Sequence, residues 1–175
     1  MRSSVIKVVL AGAVAATLSA SSLMAHDNDR DGKFRVFTQL NGFQEVPAIS
    51  TAAHGFFWAT VDTKANTITW RLKYDGLEAP VTQSHVHLGQ LSVSGGVSFF
   101  LCSNLNNGPT GTQTCPDGPA DISGVITPDL VIGPAGQGID PQSFAEIAAA
   151  MQDGVAYANV HSTKWPAGEI RGQLH

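Results

Sequence analysis

The chain has 175 residues, of which 43% are hydrophobic, and a formal net charge of -4. This length allows one domain with an ordinary core. The 10 Lys and Arg residues are scattered along the chain, so the sequence lacks the basic cluster by which nucleic acids are bound. The 18 glycines and 9 prolines are spread throughout, which favours many short strands joined by turns.

The first residues have the pattern of an export signal. Arg2 and Lys7 give a positive start, and residues 8–18 form an apolar stretch that is too short to span a bilayer. We predict a signal peptide over residues 1–25 with cleavage after Ala25; cleavage after Ser22 is the alternative. We expect an exported chain, in the periplasm, at the cell surface or outside the cell, with no membrane span after the signal.

An acidic segment, residues 26–33, follows the predicted cleavage site. Its Asp27, Asp29, Asp31 and Gly32 match the first half of a calcium-binding loop. The second half does not match, because Thr38 stands where the loop needs a bidentate glutamate. We therefore interpret residues 26–33 as a solvated acidic tail.

Export permits a disulfide, and the chain has two cysteines, Cys102 and Cys115. Almost all residues between them are turn formers, so a bridge would close a loop that has little structure of its own. The alternative is a pair of metal-binding thiolates, but the spacing matches no common zinc pattern. We predict the disulfide.

From residue 34 the sequence alternates between apolar and polar residues, as strands with one buried face do. The clearest example has Ile68, Trp70 and Leu72 on one face. Asp140 followed by Pro141 predicts the N-cap and first residue of a short helix. The predicted strands are residues 34–40, 55–62, 66–74, a strand around 85–87, then 96–102, 120–126, 155–161 and 168–174.

This pattern predicts an all-β fold in one domain, residues 34–175. We expect an antiparallel Greek-key sandwich or barrel of about eight strands, with one short helix near residues 141–152.

Three histidines are the candidate site. His85 and His87 share one face of their strand, and Val86 lies on the other. In a later strand His161 and Asn159 share the face opposite Val160. If both valines turn inward, all three histidines point away from the core, and in a common sheet their imidazoles converge. Such a set suits copper, or less well zinc. The alternative is a pair of hydrogen-bonded surface histidines that hold neighbouring loops.

Four segments in order resemble the CHRD domain, a module first described in chordin proteins that also occurs alone in secreted bacterial proteins. They are residues 40–47 (LNGFQEVP), 85–87 (HVH), 157–162 (YANVHS) and 166–174 (PAGEIRGQL). The resemblance covers nearly all of the chain after the predicted signal. It implies an extracellular β-rich module and no agreed activity; in chordins such domains sit within proteins that bind growth factors. We expect an extracellular protein or matrix partner, which the sequence does not identify.

The candidate site also resembles part of a known metal site. His85, His87, His161 and the glycine-flanked Arg171 are similar to the copper ligands and the guiding arginine of copper–zinc superoxide dismutases. The resemblance implies a copper site on the outer face of a β-barrel. A His-rich, Asp-containing loop that would form the zinc site does not follow His87. The resemblance is therefore limited to the copper half of the site.

We expect secondary roles for several other polar residues. His54 is a candidate fourth ligand or neighbour of the site, together with Asn159 and Arg171. Glu45 and Glu169 suit acid–base chemistry, but we expect an ion pair with Arg171 instead. The sequence shows no serine-hydrolase nucleophile motif and no phosphate-binding loop.

Three hypotheses follow from the sequence. The preferred one is a secreted CHRD-type binding module with a surface copper site formed by three histidines. The alternatives are a copper-dependent oxidoreductase of the superoxide dismutase type and a structural or protein-interaction domain without metal. The sequence does not establish an enzyme and favours a non-enzymatic role.

Overall fold

A computed structural model describes residues 31–175 of the protein. The predicted signal peptide and most of the acidic tail lie outside these residues. The described part is one eight-stranded sheet with one α-helix, α1, and three short 3-10 turns. Its strands are β1 Lys33–Asn41, β2 His54–Asp62, β3 Thr67–Asp75, β4 Val81–Leu88, β5 Val97–Ser103, β6 Ala120–Ile126, β7 Ala156–Ser162 and β8 Ile170–Gln173; α1 is Phe144–Gln152.

The strands run antiparallel in the order β5-β4-β7-β8-β1-β2-β3-β6. The edge strands β5 and β6 approach each other, so the sheet curls into a nearly closed barrel. The predicted all-β class, with about eight strands and one short helix, is therefore confirmed.

The alternation of buried and exposed residues along the strands shows where the core lies. In β1 and β3 every second residue is buried, and in β3 these are Ile68, Trp70, Leu72 and Tyr74. The β-branched and aromatic side chains fill the barrel interior, where apolar burial contributes about 25 cal/mol per Å². The helix α1 packs against β7 and β1.

The predicted start of the helix was wrong. The helix begins at Phe144 with Ser143 as N-cap, three residues beyond Pro141. Gln142 adopts a φ of 70°, a left-handed conformation that a helix cannot include, and its N–H bonds to the carbonyl of Val131. Asp140 and Pro141 therefore belong to a turn.

Among residues 31–175 no helix is both long enough and apolar enough to cross a membrane.

Candidate metal centre

The three histidines lie on two neighbouring strands. In the β4–β7 ladder His85 pairs with Asn159, and His87 pairs with Tyr157. Cross-strand partners point to the same side of a sheet, so these side chains meet on one face. Val86 and Val160, on the other face, are fully buried in the barrel. The facing predicted from alternation is confirmed.

Their ring nitrogens converge. One ligand atom from each of His85, His87 and His161 lies within 4.8 Å of the other two. The shortest approach is 3.2 Å, between His85 Nδ1 and His161 Nε2. A copper or zinc ion binds imidazole nitrogen at about 2.0–2.1 Å, so two of its ligands are at most about 4.2 Å apart. The three nitrogens, all within 4.8 Å of one another, therefore lie at most about 0.6 Å beyond that limit.

The predicted surface location was wrong, because the histidines are buried. His85, His87 and His161 are 3%, 7% and 6% exposed. Phe100 packs edge-on against His85 at 4.4 Å between ring centroids, and Tyr157 stacks on His87 at 4.6 Å. The group thus lies on the outer face of the sheet but is covered by side chains and loops that alternation along a strand does not reveal.

Two backbone carbonyls fix the orientation of two rings. His87 Nδ1 donates a hydrogen bond to the carbonyl of Gly95 at 2.9 Å, and His161 Nδ1 donates to that of Pro166 at 3.0 Å. A neutral imidazole carries one N–H, so the Nε2 atoms of both rings bear lone pairs. Both lone pairs point into the group. Metal-binding histidines are commonly oriented in this way, by an N–H bond from the ring nitrogen that does not bind the metal.

The amide of Asn159 also points at this group. Its Oδ1 lies 3.1 Å from His87 Nε2 and 3.0 Å from His161 Nε2. The oxygen thus faces two unprotonated nitrogens. His85 Nδ1–H donates to one of them, His161 Nε2, at 3.2 Å, but no donor lies between the Asn159 oxygen and His87 Nε2 in this arrangement. A cation placed between these acceptors would be attracted by all of them. A half-turn of the Asn159 amide would instead place its NH2 donors opposite the two nitrogens. His85 Nε2 is buried and has no hydrogen-bond partner among the described residues.

Burial keeps the imidazoles neutral. It lowers the pKa of His85 to about 2, and the neighbouring His161 and His87 add to this effect. Burial likewise lowers the pKa of His161 to about 4, although the bond to Pro166 opposes it. The pKa of His87 is lowered by burial and, to a smaller extent, by the positive charge of Arg171. At neutral pH the group therefore presents lone pairs to a metal ion.

Arg171 is buried behind Tyr157. It is 1% exposed, and its guanidinium carbon lies 3.4 Å from the centroid of the Tyr157 ring. Its Nη2 donates to the carbonyl of Gln90 at 3.0 Å and to Gln173 Oε1 at 3.4 Å. The expected ion pair was wrong: within residues 31–175 no carboxylate forms an ion pair with Arg171.

The two glutamates have other partners. Glu45 is 8% exposed, and its Oε1 has no hydrogen-bond partner among the described residues. Burial raises the pKa of Glu45 to about 7, against the opposing effects of the Arg171 charge and of hydrogen bonds from the Val46 backbone and the Asn159 side chain. Glu169 is fully buried and accepts hydrogen bonds from the Thr51 and Ser162 hydroxyls and from the N–H of Glu78.

His54 is not brought into the group. It is exposed at the start of β2, and its Nδ1 bonds to the carbonyl of Ala52 at 3.3 Å. The two cysteines form the predicted disulfide, Cys102–Cys115, which excludes the alternative of metal-binding thiolates.

Sequence reasoning missed the residues that cover and orient the histidines. Tyr157 was recognisable only as a member of the same face of its strand. The carbonyls of Gly95 and Pro166 belong to loops, and a backbone carbonyl leaves no signal in the side-chain pattern. Phe100 lies on β5, whose register against β4 shifts twice, between Ser84 and His85 and again between Val86 and His87.

The chain was compared with known protein families, curated proteins and solved structures. A family model described as "CHRD domain" matches residues 36–174, nearly all of the described chain. No curated protein and no solved structure matches.

Proposed function

The chain belongs to the CHRD domain family, and we propose that it is an exported binding module that holds one copper ion at His85, His87 and His161. The observation that carries this proposal is the convergence of three buried imidazoles, two of which have their Nε2 lone pairs directed inward by bonds to backbone carbonyls.

The donor set supports copper over zinc. All three donors are imidazole nitrogens, for which copper has the highest affinity among the divalent metals of its series. Zinc in proteins is usually four-coordinate. In the described chain no carboxylate or thiolate joins the group, and the rings of Phe100 and Tyr157 pack directly against two of the imidazoles.

Each surrounding residue has a definable role at such a site. His87 and His161 present fixed lone pairs, Tyr157 and Phe100 exclude water, and Asn159 places an amide between the two fixed rings. A bound copper ion would supply one-electron chemistry. A substrate would have to reach the bound ion, and the burial of the group hinders this. The burial therefore favours binding of the ion over catalysis.

The localisation belongs to the same proposal. The disulfide and the CHRD family favour an oxidising compartment outside the cytoplasm. The signal peptide over residues 1–25 would deliver the chain there. Family membership is also compatible with binding to another protein.

Titration with copper and zinc of protein purified from its export compartment, after removal of metal, tests the proposal. We expect one copper ion per chain, and a loss of affinity of at least roughly 100-fold in His85→Ala and His161→Ala, since changes in the residues that merely support ligands already cost 10–100-fold. His54→Ala is the matched control and should bind as the wild type does. Equal, weak binding by all four proteins would show that the group is not a metal site.

The same preparation separates the alternatives. The copper-loaded protein should consume superoxide no faster than free copper does, whereas a rate that depends on the loaded site would establish the oxidoreductase. If protein taken directly from its export compartment contains no metal and binds none, the metal-free interaction domain is the correct reading.

A further inference from the structure

A buried cation lies next to the proposed copper site. Tyr157 is stacked on His87, with 4.6 Å between centroids and 5° between planes, and the guanidinium of Arg171 covers the same ring at 3.4 Å. His87 is on β4 and Arg171 is on β8, the two strands that flank β7. The phenol ring is thus held between the imidazole and the guanidinium.

The charge of Arg171 is only partly offset by its neighbours. Arginine stays protonated in proteins, and a buried charge is ordinarily paired or bound to a metal. Throughout residues 31–175 Arg171 has no ion-pair partner, and its side chain donates hydrogen bonds to the neutral oxygens of Gln90 and Gln173. Glu45 is the carboxyl group that interacts with it electrostatically. Because Glu45 is buried, it holds its proton to an unusually high pH and offsets the guanidinium only in part.

We propose that Arg171 selects the charge of the bound ion, so that the three-histidine site prefers Cu(I) to Cu(II) and Zn²⁺. This inference rests on the proposed function. The three ligands are neutral, so the bound ion keeps its full charge, and a second positive charge on the ion is repelled by the guanidinium. Burial acts in the same direction, since the cost of placing an ion in a medium of low dielectric constant rises with the square of its charge.

The expected size of the Arg171 effect follows from Coulomb's law. The two stacked contacts place the guanidinium on the order of 10 Å from an ion bound to His87. At an effective dielectric constant of about 20, one additional unit of charge at that distance changes the affinity roughly tenfold. For a one-electron couple a tenfold change in the ratio of the two affinities corresponds to about 59 mV in the reduction potential.

The experiment compares wild type, Arg171→Met and Arg171→Lys. Met removes the charge and keeps an unbranched side chain, and Lys keeps the charge. The affinity for Cu(I) is measured without oxygen against a competing chelator, and the affinities for Cu(II) and Zn²⁺ are measured separately. The potential of the bound copper is measured by titration with dithionite, which supplies the one electron that converts Cu(II) to Cu(I).

In wild type we expect tighter binding of Cu(I) than of Cu(II). In Arg171→Met the affinities for Cu(II) and Zn²⁺ should rise roughly tenfold relative to that for Cu(I), and the potential should fall by about 59 mV. Arg171→Lys should retain the preference for Cu(I).

Two results would overturn the inference while leaving the copper site intact: equal affinity ratios in wild type and Arg171→Met, or a wild type that binds Cu(II) as tightly as Cu(I). The second result needs no variant, so it decides the question even if Arg171→Met does not fold. Absence of binding of every ion by folded wild type would instead refute the proposed function itself.

Discussion

The imidazole of His87 and the phenol ring of Tyr157 are parallel to within 5°, with 4.6 Å between their centroids. They are cross-strand partners in the β4–β7 ladder. The Tyr157 hydroxyl accepts a hydrogen bond from the N–H of Gly95 at 3.1 Å, and the carbonyl of Gly95 accepts from His87 Nδ1. Gly95, a loop residue, is therefore hydrogen-bonded to both rings. The stack thus fixes the position of the imidazole and also that of the loop that covers it.

Replacement of Tyr157 separates the ring from the hydroxyl. Tyr157→Leu removes the stack, and we expect it to lower copper affinity about 10–100-fold, as loss of a group that orients a ligand does. Tyr157→Phe keeps the stack and loses two hydrogen bonds to Gly95, one accepted from its N–H at 3.1 Å and a longer one donated to its carbonyl at 3.4 Å, which should cost about 1–2 kcal/mol of unfolding free energy and leave copper affinity nearly unchanged. Copper titration and urea unfolding measure the two effects. Equal copper affinity in both variants would show that the stack does not orient His87.

The strands were predictable because their side chains alternate. The predicted strand at residues 120–126 coincides with β6, and that at 66–74 differs from β3 by one residue at each end. The facing of His85, His87 and His161 followed from the same period of two. These are local properties, and a sequence displays local properties directly.

What was not predictable depends on contacts between distant segments. The prediction of the helix start failed because the N–H of Gln142 bonds to the carbonyl of Val131, a residue eleven positions earlier in the chain. The burial of the histidines depends on Phe100 and on the Gly95 and Pro166 loops, which only the folded chain brings together. Arg171 was expected in an ion pair because glutamates pair with arginine more often than they act in catalysis, whereas here the ring of Tyr157 covers the guanidinium.

Glu45 should give the stability of the metal-free protein a pH dependence of a definite sign. Burial raises its pKa from 4.5 to about 7, so the folded state holds the proton more tightly than the unfolded state does. Its contribution to stability is fully present below pH 4.5 and is lost as the pH rises through about 7. The difference between the limits is at most about 3 kcal/mol.

Glu45→Gln isolates this effect, because it keeps the shape and cannot ionise. The unfolding free energy of the wild type minus that of Glu45→Gln should decrease as the pH is raised from 4 to 8, as measured by urea unfolding at each pH. Taking the difference removes the common contribution of the buried histidines. A difference for Glu45→Gln that does not change with pH would contradict the prediction.

Glu169 should be a structural carboxylate. It is fully buried and accepts hydrogen bonds from Thr51 Oγ1 at 3.0 Å, the N–H of Glu78 at 2.8 Å and Ser162 Oγ at 2.5 Å. These bonds join β7 to the segments before β2 and β4. Glu169→Ala leaves three donors without their acceptor, and we expect it to cost about 3–5 kcal/mol, since one bond to a charged group contributes about 1.5–3 kcal/mol.

Ser162→Ala tests the same network from the donor side. It removes one donor to Glu169 and the acceptor of the Trp165 N–H at 3.3 Å, but leaves the carboxylate with two other donors, so its cost should be lower, about 1.5–2.5 kcal/mol by urea unfolding. A larger loss of stability in Ser162→Ala than in Glu169→Ala would show that the carboxylate is not the centre of this network.

The disulfide should contribute to stability and leave the metal centre unaffected. Cys102 and Cys115 are 13 positions apart, and closing a loop of about that size stabilises a protein by roughly 3 kcal/mol in the chain-entropy model. Neither residue belongs to the histidine group. We therefore expect the double substitution Cys102→Ser with Cys115→Ser to lower the unfolding free energy by about that amount and to leave copper affinity, measured well below the melting temperature, unchanged.

Reduction of the wild type with dithiothreitol is the matched control, since it opens the same loop without changing the sequence, and it should lower stability to the same extent. Thiols can themselves bind copper, so the reductant is removed and the freed thiols are alkylated before copper is added. If the double substitution abolished copper binding while the domain stayed folded, the loop from Cys102 to Cys115 would have to hold the β5 side of the metal centre in place. Phe100, two residues before Cys102 and packed against His85 at 4.4 Å, would then be the contact through which it acts.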